Sequence, residues 1–136
     1  HPHAAAMTDA VDRALAEYGR AVVIDVHSYP TGRLPYEITA AGAARPEICI
    51  GTDEFHTPRW LLDAAEAAFA GFDVTLDSPF AGTYAPLKHY GADARVASIM
   101  IEIRRDQYMD EDAVALHDGV QRVVEALAGL MRGICT

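Results

Sequence analysis

Glu102 stands in "SIMIEIRRD", a carboxylate inside an otherwise apolar run. Side chains alternate along a strand, so Ser98, Met100 and Glu102 share one face while Ile99, Ile101 and Ile103 take the other. A charged carboxylate in a strand interior is costly unless it is paired or bound to a metal. Two readings stay open. One is an ion pair with Arg104 or Arg105, which follow directly. The other is a general base whose hold on a proton is raised in a partly dry site. His27 poses the same question in "VVIDVHSYP", residues 22 to 30. An imidazole just past an apolar strand either completes a structural hydrogen bond or ligates a metal. Asp25 lies two residues earlier, on the same face if the strand continues, and its carboxylate could orient a ligand imidazole.

The remaining histidines offer less. His1, His3, His56, His89 and His117 form no HxxE or HExxH pair. His117 reads as a solvated residue of the last helix, and His56 and His89 as structural or exposed residues rather than catalytic ones. His3 is a weak candidate for a polar pocket. The chain has no glycine-rich dinucleotide or phosphate-cradle motif and no GxSxG elbow. Ser28 beside His27 does not make a triad, because chain neighbours do not meet in that geometry.

The elements that must position these residues are legible from periodicity. Residues 4–18 carry apolar side chains at helical spacing, with Gly19 as a stop. "AVVIDV", 21–26, is a short run apolar on both faces, as a buried and often parallel strand is. Residues 28–46 read as a long loop, and 47–51 as a second strand that buries Cys49. Thr57-Pro58 predicts a helix start with a capping hydroxyl, followed by a core face of Trp60, Leu61, Ala64, Ala65, Ala68 and Phe69. "FDVTL", 72–76, is a third strand, 77–94 a second long loop and 96–103 the fourth strand. A last helix follows "YMDED" with a core face of Leu116, Val120, Val123, Val124, Leu127, Leu130 and Met131. Strands alternating with helices predict a single α/β domain, with about four strands in a mostly parallel or mixed sheet flanked by helices. Loops longer than about 12–15 residues are commonly functional, and sites in such sheets form beyond the carboxyl ends of strands.

Composition narrows the function. The 136 residues suit one domain, and the net charge of −9 argues against a nucleic-acid backbone or an anionic membrane as partner. No apolar run approaches the ~20 residues of a membrane span, and no signal-peptide pattern opens the chain. Two distant cysteines make no disulfide framework, so the expected setting is a reducing cytoplasm. The first residue is histidine, which predicts a processed, cut or partial chain.

Three segments carry a family resemblance: "VVIDVHSYP", "RPEICIGTD", and "SPFAGTYAPLKHYG" with the following "SIMIEIRRDQYMDE". In order and general spacing they resemble the N-formylglutamate amidohydrolase family, from the first helix to the last. That family is similar in fold to the zinc carboxypeptidases, so the resemblance implies a zinc-carboxypeptidase-like (phosphorylase/hydrolase-like) core. It implies zinc as cofactor, His27 as a zinc ligand and Glu102 as the base that activates water. Arg104 or Arg105 would bind a substrate carboxylate, which suits a guanidinium fork. Tyr84 would cover the site or touch the substrate. Zinc hydrolases need three protein ligands and an open position. The resemblance implies that a histidine and an acid come from a segment ahead of the first helix, so this chain is expected to be the C-terminal part of a longer family domain or a shortened relative. The expected reaction is hydrolysis of an N-acylated acidic amino acid, N-formyl-L-glutamate to glutamate and formate, a step of histidine breakdown. Two arginines in "EIRRD" and the "LPYE" after His27 depart from the commonest family pattern. The alternative is a non-catalytic relative that binds a small carboxylate ligand.

Overall fold

The computed structural model describes residues 2–35, 37, 42 and 45–135. Helix α1 spans Pro2–Tyr18, β1 Ala21–Tyr29, β2 Ile48–Gly51, α2 Arg59–Ala68, β3 Val74–Leu76 and β4 Val96–Arg104. A single 3-10 turn, Arg105–Gln107, leads to β5 (Met109–Asp110) and β6 (Ala115–Leu116), a small antiparallel hairpin, and then to α3, Gly119–Ile134. The main sheet has the order β1-β4-β2-β3. Strands β1 and β4 are parallel, as are β2 and β3, and β2 runs antiparallel to β4. The expected α/β domain with four strands is therefore present, in its mixed form.

Alternation along the strands sorts the two faces. Ile48, Ile50, Ile99, Ile101 and Ile103 form one apolar layer, packed against Leu61, Ala65 and Phe69 and against Val123, Ala126 and Leu130 of α3. Each such side chain removed from water contributes about 1.5–3 kcal/mol, which fixes the register wherever a one-residue slip would expose the layer. On the other face α1 packs Val11 against Ala21, Val23 and Val96. This helix covers only the first half of β1 and β4. Farther along, the loop after β3 takes over: the Phe80 ring meets Tyr29 edge-on at 5.3 Å, and its carbonyl accepts from the Cys49 thiol at 3.2 Å. Gly51 lets this loop lie close, because a Cβ there would sit 2.3 Å from the Gly82 carbonyl oxygen. Among the described residues no helix is long and apolar enough to cross a membrane.

Several details differ from the sequence reading. Strand β1 continues three residues past Val26, through His27, Ser28 and Tyr29, because each pairs with β4. The Thr57 hydroxyl does not cap α2: it donates to the Ser98 carbonyl at 2.7 Å and accepts from the Asp53 amide at 2.9 Å, while Pro58 holds the cap position. Trp60 lies off the core face of α2, 44% exposed. Leu116 belongs to β6, and Leu116, Val124 and Met131 are exposed, so the buried line of α3 is Val123, Ala126 and Leu130. His117 precedes α3 rather than lying on it, exposed, with its ring accepting from the Gly119 amide. Cys49 is buried and Cys135 exposed, both as free thiols.

Candidate active site

Register builds the site. Parallel pairing sets His27 opposite Glu102, and antiparallel pairing sets Cys49 opposite Glu102 from the other side. Neighbouring strands lie about 4.8 Å apart, so His27, Glu102 and Cys49 form a row across the carboxyl end of β1 and β4. Strand β1 is the edge of the sheet, so His27 is half exposed. Its Nε2 lies 2.9 Å from Asp25 Oδ1, and no hydrogen bond engages Nδ1 among the described residues. Asp25 thus holds one ring nitrogen of His27.

Glu102 is buried, and its Oε2 has no hydrogen-bond partner among the described residues. The ion-pair reading of this residue does not hold. Arg104 donates from Nε and Nη2 to the Asp106 carboxylate, at 2.7 and 3.0 Å, and from Nη1 to the Arg45 carbonyl. Two other nearby donors are also committed: the Cys49 thiol to the Phe80 carbonyl and the Tyr29 hydroxyl to the Pro46 carbonyl. Burial pushes the Glu102 carboxyl above the ordinary range, opposed by His27 and Arg105 and reinforced by Asp25. The result is a carboxylate with one buried oxygen that lacks a donor.

The two arginines have different surroundings. Arg104 belongs to the framework: its guanidinium is shared between Asp106 and the loop after β1, and the contact holds Asp106 below the usual carboxylate range. Arg105 has only a long contact, Nε to Ser28 Oγ at 3.4 Å, and lies near enough to Glu102 to favour its charged form. Tyr84 is not brought to this row. It packs at the margin of the α1 cluster with Val11, Val23 and Val96, and its carbonyl accepts from Ser98 at 2.5 Å. Ser98 and Glu102 are four residues apart, roughly 13 Å along a strand. His3 is exposed on α1; His56 and His89 are buried and hydrogen-bonded; His1 lies outside the described residues.

Residues that the sequence reading missed shape the wall. Glu37, from the "LPYE" stretch, is buried and pairs with Arg45, which also donates to the Pro30 carbonyl at 2.7 Å and lies over the Tyr29 ring at 5.0 Å. Leu34 and Arg33 donate to Glu37 as well. Tyr29 could have been found by extending the alternation Asp25, His27, Tyr29. Glu37 and Arg45 carry no periodic signal. An apolar groove of 310 Å³ touches Val26, His27, Ser28 and Ile103, but Val26, Ser28 and Ile103 point to the sheet face away from Glu102. Among the described residues no group of three or more His, Cys, Asp or Glu side chains is placed to hold a metal ion.

Known structures place this geometry in context. The N-formylglutamate amidohydrolase from Ralstonia eutropha JMP134 superimposes with a TM-score of 0.77 at 22% identity, over 98% of this chain and 51% of that one. A gene product of Agrobacterium tumefaciens matches with a TM-score of 0.56 at 20% identity, over 98% of this chain and 48% of that one. The chain therefore spans about half the length of these structures. Among curated proteins no sequence matches it. A sequence model of the N-formylglutamate amidohydrolase family matches residues 1–109, a stretch that includes all of β1, β2 and β4, so the chain belongs to the N-formylglutamate amidohydrolase family.

Proposed function

We propose that this chain carries the proton-transfer part of an amide-hydrolysing site, acting on an N-acylated acidic amino acid, with N-formyl-L-glutamate as substrate. The observation that carries the reading is the buried, unpartnered Oε2 of Glu102 beside His27. A carboxylate in that state accepts a proton from an attacking water and returns it to the leaving nitrogen as the C–N bond breaks. The products are formate and glutamate. Arg105, the less committed of the two guanidinium groups, binds a substrate carboxylate. Zinc, with His27 as one ligand, is part of this proposal. The described residues do not by themselves fit it, because His27 supplies one ligand and such a site needs three. That shortfall favours a second reading, in which the pocket binds a small carboxylate without turnover.

Formate release from N-formyl-L-glutamate, with zinc supplied, separates the two. Turnover by the parent chain would support the first reading, and Glu102→Gln should then lose about 10²–10⁴-fold in rate while still binding. Binding without turnover by the parent would leave the second reading in place. Neither binding nor turnover removes both.

A further inference from the structure

The His56 ring is buried and ties together three segments. Its Nδ1 lies 2.7 Å from the Val96 carbonyl at the start of β4, and its Nε2 lies 2.8 Å from the Gly91 amide in the loop after β3. A carbonyl only accepts and an amide N–H only donates. Nδ1 must therefore carry the proton and Nε2 must be bare, which is the neutral ring in one tautomer. Protonation at Nε2 would set two N–H groups head to head, and the Gly91 amide would lose its acceptor. Gly91 has φ +63°, a backbone state that suits glycine, so its amide direction is set by the turn.

We infer that His56 is an acid-operated latch: the neutral ring pins the Gly91 turn, and the protonated ring releases it. Asp53 and Tyr90 face His56. On its own segment, Asp53 accepts from the backbone amides of Phe55 and His56, and its other oxygen accepts from the Tyr90 hydroxyl at 3.1 Å. That carboxylate cannot replace the acceptor that Gly91 loses. The Phe55 and Tyr90 rings flank the imidazole at 4.8 and 5.5 Å, and β4 contributes only backbone, Val96 O and Ser98 N. Since the Tyr90–Asp53 bond remains and the Ala92 amide stays on the His89 carbonyl at 3.0 Å, the released piece is the Gly91 amide. The rest of the loop stays fixed by its bonds to Thr52 and Ser98.

Amide hydrogen exchange tests this on residues 1–136. From about pH 8 to about pH 5, the span over which an imidazole changes charge, the Gly91 protection factor should fall about tenfold, the equivalent of one hydrogen bond. Ile99 and Ile101 in β4 should hold theirs. In His56→Gln, a side chain with a donor and an acceptor but no titration, the fall should disappear. A Gly91 protection factor that does not change, or one that falls in step with β4, overturns the latch. Nitrogen-15 spectra of the parent's His56 ring give a check that needs no variant. The Nδ1–H tautomer is expected at pH 8; an Nε2–H ring there, or a Gly91 bond that survives protonation, also overturns it.

Discussion

Glu102 combines reactivity with a cost to the fold. Burial raises its carboxyl above the ordinary range. The sign follows from linkage: the folded state holds the proton more tightly, so stability falls as pH rises from the unfolded carboxyl value through the folded one. Glu102→Gln removes the buried charge, and a neutral amide costs less to keep dry. The variant should therefore melt higher than the parent at neutral pH, with the gap closing as pH falls toward about 4. Thermal melts across that range check this, and a variant less stable at neutral pH than at pH 4, relative to the parent, would contradict it. His27 gives a second case. With Asp25 accepting from Nε2–H, the ring should show that one tautomer in nitrogen-15 spectra, and Asp25→Asn should yield a mixture. Unchanged ring signals in that variant would remove Asp25 from any orienting role.

Loops, more than helices or strands, form the wall beside the site. The stretch after β1 closes on itself through the buried Glu37–Arg45 pair, with Arg104 reaching the same loop at the Arg45 carbonyl. Glu37→Ala leaves a guanidinium with its neighbours but no counter-ion, and should cost about 2 kcal/mol by urea denaturation. Removing the exposed Arg59–Asp63 pair of α2 should change little, since solvent screens such pairs. If the two variants lose equal stability, the loop pair is not a fastening. This is also where the sequence was hardest to read. Glu102 was legible because alternation in "SIMIEI" assigns it a face whatever the neighbours do. Arg104 and Arg105 were not separable, since only the later Asp106 and the distant Arg45 decide which one is bound. The end of β1 was misjudged because His27 and Ser28 are polar, and pairing with β4 rather than composition keeps them in the strand. Trp60 and Val124 were placed in the core because a helical face drawn from spacing is wider than the strip that α2 and α3 share.

Across the whole molecule, one helix is attached differently from the others. Helices α2 and α3 share the isoleucine layer, whereas α1 rests on a small cluster and one polar clamp. In that clamp Asp12 accepts from Lys88 at 2.6 Å and from the His89 ring at 2.8 Å. The two contacts are unequal. Lys88 is exposed, and such a pair contributes little in water. His89 is 8% exposed, so its ring nitrogen has no water to turn to if the acceptor goes. Lys88 and then His89 hold the Asp12 carboxyl below the usual range, and Arg95 holds Asp93, on the far side of the same imidazole, down at about 2. Both carboxyls are depressed in the fold, so their stabilisation is present above the ordinary carboxylate range and is lost as pH falls through the lowered values. Asp12→Ala should therefore strip amide protection from α1 at neutral pH while β4 and α3 keep theirs. Lys88→Ala should leave α1 as it was, and the parent taken below about pH 3 should lose α1 protection first. If Asp12→Ala leaves α1 protected, the apolar cluster alone holds the helix and the clamp is incidental.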